Sequence, residues 1–493
     1  MSLRSWRYLL ARSFSDVRIR PQSSLAAIKS CDEIPGPKPV PFYKIFEDLK
    51  KNAGRTHKMY VDLHEEFGPL VQIKIPLVSM HIFVISDPNL IEELLRQDVT
   101  HVRPPIRIWN DYRVRANQAF GVLTTDGEEW ARMRKVVDKP MLKPKAVDNY
   151  AKDLNIVVED LLDRFERIRG PDMIVENLSS ELFNWALESI GSILYEKRMG
   201  SLSDVRNPEN DKFIEAVRSM FATTIYLFSL PPLLSRFIMR RKWKEHEEAW
   251  NTIFRVAEEC TSAKLEMINN VKRNEGGEVG IIEYFAERMP LKEVYSNITE
   301  LMTGGVDTTS NSSQFLLYEI AKNQNYQDNI YREVQENIKE NGLADLKKMK
   351  YLKAFIKETM RLYPVANSVG RVLQNDTVLN GYLLPKGKMV IFAPYALGRN
   401  ESLFKDAEVF NPERWLRDHP GQDKAHPFAS LPFGFGPRMC VGRRVAEMEM
   451  QILVSQMLKR FRLELVDDKP MDTWCDILMS PAQPVRIRYI DRK

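Results

Sequence analysis

The sequence has few of the residues that build disulfide frameworks or clustered metal sites. Four cysteines occur in 493 residues, at positions 31, 260, 440 and 475, together with seven histidines. The cysteines form no Cys-x-x-Cys pair, and we therefore expect neither a disulfide framework nor a zinc site. A chain of this size without a disulfide pattern is typical of a reducing compartment.

The sequence also lacks a strong charge of one sign and a long apolar run. Its net charge is +5, from 72 basic and 67 acidic residues, which is too small to indicate a nucleic-acid partner. No run of about 20 apolar residues predicts a helix that spans a membrane. With 44% hydrophobic and 28% charged residues, the composition is that of a large globular protein.

The first 30 residues are short of acid. They contain five arginines against the single acid Asp16, and apolar residues recur at helical spacing from Trp6 to Val17. This pattern favours a mitochondrial transit peptide over residues 1–30 and hence a matrix location; a disordered basic tail is the alternative. Residues 31–42 hold four prolines and predict a stiff hinge before a single domain over residues 43–493.

Apolar patterning predicts the fold class. Helical periodicity dominates from about residue 87 to residue 338, and β-branched, apolar stretches occur at residues 71–86 and 371–392. Two further short strands are expected at residues 461–466 and 485–490. We expect one large, mainly α domain with a minor β-sheet region.

Residues 221–243 form a long apolar stretch that Pro231 and Pro232 interrupt and that ends in Arg240, Arg241 and Lys242. One interpretation is buried helix ends. The other is a surface segment that dips into a membrane, with the basic residues at the lipid headgroups. The sequence favours neither.

Cys440 lies in the turn FGFGPRMCVG, directly before a helix with an apolar stripe. The positive end of that helix, together with Arg438, favours a thiolate, which is either a nucleophile or a metal ligand. A nucleophile needs a base, and the nearest histidine, His426, is separated from it by a proline-bearing loop. The glycines of the turn leave space beside the sulfur for a flat cofactor. A small buried hydrophobe in a tight turn is the alternative.

The pattern FxxGxRxCxG over residues 433–442 resembles the haem-ligand loop of the cytochrome P450 family. The resemblance implies the P450 fold and a haem b cofactor with Cys440 as the axial ligand of the iron. It implies further haem contacts from Phe433, Gly434 and Gly442.

Other motifs agree with that family in the expected order along the chain. The resemblance implies that four residues hold the haem propionates: Trp130, Arg134, Arg371 and Arg438. It also implies a structural ionic network between Glu358 and Arg361, in KETMRLYP, and Arg414, in NPERW. For each propionate arginine taken alone, an ordinary surface arginine is the alternative. For Glu358 and Arg361 the alternative is a solvated surface pair.

The stretch GGVDTTSNSS, residues 304–313, predicts a polar loop on propensity alone. In the family the corresponding residues form a distorted central helix over the haem. The resemblance implies that Thr308 positions activated oxygen and a water, and that Asp307 relays protons.

The chain contains no Rossmann fingerprint and no four-cysteine cluster, so electrons must come from a separate protein. Four basic residues resemble those by which the mitochondrial subclass of animals docks a [2Fe–2S] ferredoxin, which an NADPH-dependent reductase serves: Lys353, Lys357, Arg443 and Arg444. A solvated basic face is the alternative.

These expectations combine into a haem-thiolate monooxygenase that uses O2 and two electrons from ferredoxin at the inner mitochondrial membrane. The expected pocket stretches are mostly apolar, which suits a sterol, a steroid or a foreign compound, with Asn110, Tyr226, Asn367 and Gln483 as polar anchors. A haem-thiolate isomerase or dehydratase, or a non-catalytic haem-binding protein, is the alternative. Neither needs the Asp307–Thr308 pair or the docking lysines.

Overall fold

The computed structural model describes residues 28–38, 54–75, 80–97, 102, 106–205, 207–228, 230–270, 279–340, 342–417, 419–420, 424–467 and 469–492. Most of the expected transit peptide and residues 39–42 of the expected hinge lie outside the described residues. The boundaries of leader, hinge and domain therefore stay predictions.

Helices make up most of the described chain. In order they are α1 Thr56–Phe67, α2 Pro88–Arg96, α3 Arg107–Arg115, α4 Gly127–Leu142, α5 Pro144–Ile168, α6 Leu178–Tyr195, α7 Pro208–Leu227, α8 Pro232–Ile238, α9 Arg240–Asn270, α10 Ile281–Ala286, α11 Leu291–Lys322, α12 Gln324–Glu336, α13 Lys350–Leu362, α14 Pro394–Gly398 and α15 Arg443–Arg460.

Proline starts several of these helices. It stands in the first turn of α2, α5, α7, α8 and α14, where its missing N–H costs no hydrogen bond and its φ is already helical. Asp87 and Asn207 cap α2 and α7 by accepting from backbone N–H groups in the first turn. These local signals explain why the predicted helical region is divided where it is.

Helix α11 runs through the centre of the molecule. It packs against α6, α9 and α15, and its side chains are buried along most of its length. The stretch GGVDTTSNSS lies inside α11, so the prediction of a polar loop from propensity is wrong. The expectation of a central helix, which came from the family resemblance, agrees with the structure.

The strands form small sheets beside the helices. The largest has the order β2-β3-β7-β4, where β2 is Leu70–Ile75, β3 Met80–Ile85, β4 Val369–Val372 and β7 Met389–Phe392. A three-stranded sheet has the order β1-β6-β5, where β1 is Lys29–Ser30, β5 Thr377–Leu379 and β6 Tyr382–Leu384. Two further sheets pair β10 (Met479–Pro481) with β9 (Thr473–Cys475) and β11 (Ile487–Asp491) with β8 (Phe461–Leu465). The predicted class, mainly α with a minor β region, is confirmed.

The start of the described chain packs onto these sheets. Lys29 and Ser30 pair in parallel with Tyr382 and Leu383 of β6. The N–H of Gln72 donates to the carbonyl of Pro35 at 2.8 Å, and Ile34 is buried. Residues 29–35 of the expected leader and hinge therefore contact the body directly.

Candidate functional site

The turn before α15 places Cys440 close to the helix N-terminus. The N–H of Cys440 donates to the carbonyl of Phe433 at 2.8 Å, and that of Met439 to the carbonyl of Gly436 at 3.0 Å. Gly434 and Gly436 have φ of 72° and 75°, which explains why both are glycine. The half-buried sulfur lies three residues before Arg443, the first residue of α15, where the N–H groups favour negative charge.

A group of buried cationic and aromatic side chains surrounds this turn. Arg134 donates to the carbonyl of Met439 at 2.9 Å. Arg438 donates to the carbonyl of Thr125 at 2.9 Å, pairs with Asp126, and its Cζ lies 4.0 Å from the ring centroid of Trp130. The structure thus brings three of the four expected propionate residues together. The pairing with Asp126 offsets part of the positive charge of Arg438 beside this turn.

The fourth expected residue, Arg371, comes from a different element. It lies on β4 opposite Val390 of β7, is buried, and donates to the carbonyl of Gly370 at 2.8 Å. A buried guanidinium in a sheet needs negative charge nearby. Its proposed contact with a haem propionate stays a prediction.

One turn of α11 has open space beside its backbone. Gly304 is exposed although the helix around it is buried, and a Cβ on Gly304 would meet no atom within 4 Å. Thr308, one turn later, is half-buried and donates its hydroxyl to the carbonyl of Gly304 at 2.7 Å. A flat group could lie against this face of the helix.

Asp307 is on the buried side of the same turn. Burial raises its pKa to about 7, while the positive charge of Arg218 on α7 acts in the opposite direction. A carboxyl group that titrates near neutral pH can both take up and release a proton. Asp307 and Thr308 are therefore neighbours in sequence with different surroundings, one buried and one facing open space.

Glu449 connects this turn to the helix that follows Cys440. The hydroxyl of Thr309 donates to Glu449 Oε2 at 3.4 Å, and both residues are buried. Burial raises the pKa of Glu449 to about 8, so the carboxyl group is mostly protonated at neutral pH. The contact places α11 and α15 side by side. Our sequence reasoning missed Glu449, because a glutamate beside Met448 gives no signal of burial.

These features fit a haem held by one sulfur ligand. The indole N–H of Trp130 is buried without a hydrogen-bond acceptor, and such a donor is costly unless a further group accepts from it. A propionate carboxylate would be an acceptor for it and a counter-ion for the nearby arginines. Within the described parts of the chain, no group of three or more His, Cys, Asp or Glu could hold a metal ion.

Glu358 is the centre of a buried ionic network. Arg361 binds it through two hydrogen bonds of 2.7 and 2.8 Å, and Arg414 through one of 3.1 Å. The N–H of Asn411 and the indole of Trp415 also donate to it. The sequence analysis named Glu358, Arg361 and Arg414, and the structure brings them together. They form a buried network and not a solvated surface pair.

The expected docking residues lie at or near the surface. Lys357 on α13, Arg443 and Arg444 are exposed, and Arg443 pairs with Glu447 at 3.1 Å. Lys353 is half-buried and donates to the carbonyl of Lys347 at 3.1 Å. Of the two expected docking lysines on α13, Lys357 is therefore the more exposed.

The expected polar anchors of the pocket differ in their exposure. Tyr226 is 38% exposed, with Lys242 Nζ at 5.6 Å from its ring, whereas Gln483 is half-buried and donates to the carbonyl of Pro470. Asn367 is buried and donates to Cys475 Sγ at 2.7 Å. Asn110 is half-buried, and its side-chain oxygen has no hydrogen-bond partner. It stays the best candidate of the four.

Comparison with known proteins gives a consistent result over nearly the whole chain. A sequence model described as "Cytochrome P450" matches residues 34–488. The chain is 31% identical over 488 residues to the mitochondrial 1,25-dihydroxyvitamin D(3) 24-hydroxylase of Mus musculus, covering 98% of this chain and 93% of that protein.

Two further similarities point the same way. Identity is 33% over 505 residues to the mitochondrial 25-hydroxyvitamin D-1 alpha hydroxylase of Rattus norvegicus, covering 98% of this chain and 99% of that protein. It is 32% over 470 residues to the mitochondrial cholesterol side-chain cleavage enzyme of Oncorhynchus mykiss, covering 93% and 90%. These three relatives are named as mitochondrial enzymes.

Proposed function

This chain belongs to the cytochrome P450 family and is a P450 monooxygenase, and we propose that it hydroxylates a sterol-like or otherwise lipophilic substrate with two electrons from a ferredoxin. The observation that carries the proposal is the adjacency of α15, which follows Cys440, and the open turn of α11 with Thr308. The names of the relatives support the substrate class, since they act on vitamin D compounds and cholesterol.

The cofactor we propose is haem b, with Cys440 as the ligand of its iron. When bound, it supplies the oxygen chemistry, and a thiolate ligand favours cleavage of the O–O bond. Trp130, Arg134, Arg371 and Arg438 would hold its propionates. Phe433, Gly434 and Gly442 would lie against the ring.

We propose that residues of α11 control the transfer of protons at the open turn around Gly304. Thr308 uses its hydroxyl hydrogen on the Gly304 carbonyl, which leaves its oxygen lone pairs to accept a hydrogen bond from a water. Asp307, whose pKa is raised to about 7, would release protons toward that water and regain them from the side of Arg218. An isomerase or a carrier has no use for this arrangement.

The test of the function is a reconstituted assay. Purified protein is mixed with a [2Fe–2S] ferredoxin and its NADPH-dependent reductase, and NADPH consumption is measured with and without a panel of sterols and secosteroids. We expect consumption that depends on ferredoxin and O2 and rises with a sterol-type substrate, together with a hydroxylated product. Product formation without reductant would instead support an isomerase or dehydratase.

In the same assay, Lys357→Glu is expected to raise the ferredoxin concentration needed for half-maximal turnover several-fold. The change reverses an exposed charge on α13, and charge pairs of this kind mainly affect the association rate. A higher salt concentration should reduce the difference between variant and wild type in the ferredoxin concentration needed for half-maximal turnover. A ferredoxin titration at two ionic strengths gives both values.

The control is Lys244→Glu on α9. Lys244 is 78% exposed, and its substitution by glutamate changes the charge by the same amount as Lys357→Glu. Helix α9 packs on α7 and α11 rather than beside α13. An unchanged titration for Lys357→Glu, or an equal shift for Lys244→Glu, would refute docking on α13.

We also propose that α8 contacts the inner mitochondrial membrane from the matrix side. Leu233 and Phe237 are 78% and 71% exposed, and Arg240 and Arg241 follow directly, the pattern of a segment lying in a lipid surface. Of the two interpretations of residues 221–243, neither alone describes the end of α7, because Leu227 is buried while Tyr226 and Phe228 are exposed. Among the described residues, no single helix has both the length and the apolar composition of a membrane span. Helices α7 and α8 taken together have them, but the chain bends by 102° between the two.

The double variant Leu233→Asp/Phe237→Asp is expected to weaken binding to vesicles with an anionic lipid content like that of the inner membrane by roughly tenfold or more, since it removes two apolar side chains from the lipid. Co-sedimentation measures the affinity. Val205→Asp is the control, because Val205 is 89% exposed but outside α8. Equal binding by wild type and the double variant would rule out this surface.

A further inference from the structure

Glu300 on α11 binds a loop that no family motif includes. Its carboxylate is 5% exposed and accepts from the N–H of Leu123 at 2.6 Å, the hydroxyl of Thr124 at 2.7 Å and the N–H of Gly121 at 3.3 Å. Arg113 of α3 donates to it at 2.9 Å and is fully buried. One carboxylate therefore orders most of the connection between α3 and α4, which we call the 119–126 segment.

Two neighbours of Glu300 on α11 extend this contact. The hydroxyl of Ser296 donates to the carbonyl of Ala119 at 2.8 Å, and Asn297 Oδ1 accepts from the N–H of Val122 at 3.0 Å. Side chains of α11 thus satisfy backbone groups of the segment as a neighbouring strand would. A segment held at this many points has one position relative to α11.

Gly121 shows how close the approach is. A Cβ at this position would lie 2.4 Å from Glu300 Oε2, a distance that no real Cβ adopts. The backbone of the segment therefore reaches the carboxylate only because residue 121 has no side chain. Glu300 and Gly121 form a matched pair.

The far end of the segment contacts the cysteine turn. The carbonyl of Thr125 and the carboxylate of Asp126 accept from Arg438, and α4, which carries Trp130 and Arg134, begins at the next residue, Gly127. Glu300 in turn lies four residues before Gly304, on a similar face of α11. The segment joins the open turn of α11 to the buried arginines.

We propose that Glu300 is a positioning residue that, through the 119–126 segment, sets the place of Arg438 and Trp130 and so the strength with which the chain holds an anionic group there. Arg113 compensates the buried negative charge. The placement of the segment is a property of the folded chain, while the link to haem retention rests on the proposed function.

The first measurement is hydrogen exchange of the holoprotein in peptides that cover residues 119–126. Glu300→Ala removes all four acceptor contacts, so we expect exchange there to rise by roughly tenfold or more. Glu300→Gln keeps an acceptor oxygen for Leu123 and should show a smaller rise. The control is Glu293→Ala, which removes the more exposed ion pair between α11 and Arg132 of α4 and should leave exchange in the segment unchanged.

The second measurement is the rate of haem transfer to an excess of apomyoglobin. We expect Glu300→Ala to release haem several-fold faster than wild type, with Glu300→Gln between them. Gly121→Ala should also increase the rate of haem release in the wild-type background. In the Glu300→Ala background it should increase that rate little further, because the carboxylate that would collide with the new Cβ is absent.

Three results would overturn the proposal. Unchanged exchange in Glu300→Ala would remove the positioning claim. Faster exchange with an unchanged haem-transfer rate would remove the link to Arg438 and Trp130. Equal harm from Gly121→Ala in both backgrounds would show that the two residues act separately. Since haem transfer needs no electron donor or substrate, failure of the reconstituted assay would leave these outcomes readable.

Discussion

Cys440→Ser is expected to abolish the thiolate-type ferrous–CO absorption band and to reduce ferredoxin-dependent hydroxylation to background. Serine has nearly the size of cysteine, and the hydrogen bond that holds the turn comes from the backbone N–H of residue 440, so the fold should persist. The hydroxyl does not ionise at neutral pH as a thiol near a helix N-terminus does, and the variant lacks the ligand that favours O–O cleavage. The ferrous–CO difference spectrum measures the first effect and product analysis the second.

Cys260→Ser is the matched control for this experiment. Cys260 is another half-buried cysteine, but it lies on α9, and burial raises the pKa of its thiol. Its replacement should change neither the spectrum nor the product. A thiolate-type band that survives in Cys440→Ser would exclude this residue as the ligand and with it the proposed site.

Glu358→Ala is expected to cause the largest loss of stability of any single change considered. The carboxylate is fully buried, and it neutralises two guanidinium groups whose own exposure is 0% and 3%. Removal of one partner from a buried ion pair costs about 3–5 kcal/mol, and Glu358 serves Arg361 and Arg414 together. Since net stabilities are about 5–15 kcal/mol, we expect little folded, haem-containing protein from expression.

The measurement is the yield of haem-containing protein and, where protein is recovered, the denaturant midpoint. Glu358→Gln should be less destabilising than Glu358→Ala, because glutamine retains the shape of glutamate and one acceptor oxygen. It should still be less stable than wild type, since the charges of Arg361 and Arg414 are no longer compensated. Glu259→Ala removes an exposed pair with Arg255 and should cost about 0–1 kcal/mol. A Glu358→Ala protein as stable as wild type would show that the network does not carry the fold.

Local sequence patterns predicted the strands between residues 71 and 86, between 371 and 392, and at β8 and β11, because their signals are local, but they did not predict β1, β9 or β10. The β5–β6 hairpin turns at Asn380 and Gly381, whose φ values are 50° and 78°, as a two-residue turn of this type requires. The β2–β3 pair follows the apolar, β-branched pattern of residues 71–86. In each case the determining residues are adjacent in the chain.

Propensity failed in α11 because the structure satisfies polar side chains within the helix. The hydroxyls of Thr299, Thr303, Thr308 and Ser310 each donate to the carbonyl four residues earlier, an option that propensity scales count against a helix. Burial by surrounding helices then stabilises a segment that reads as a loop. Only the resemblance to a known family indicated a helix here.

The site was predictable as far as its residues lie in compact motifs. The cysteine turn and the Glu358–Arg361 pair could be identified through the resemblance to a known family, since each spans few positions. Glu300 and Glu449 could not, because their partners Leu123 and Thr309 are 177 and 140 residues away. A buried carboxylate has no local signature when the groups that justify its burial come from another part of the chain.

The short strand at Lys29–Ser30 limits where the predicted transit peptide could be removed. A processing protease that cut after residue 30 would strip β6 of its parallel neighbour and expose an unsatisfied sheet edge, while Pro35 would keep its contact with Gln72. We therefore expect the mature N-terminus to lie upstream of Lys29, slightly earlier than composition alone suggested. N-terminal sequencing of the protein isolated from mitochondria would locate it.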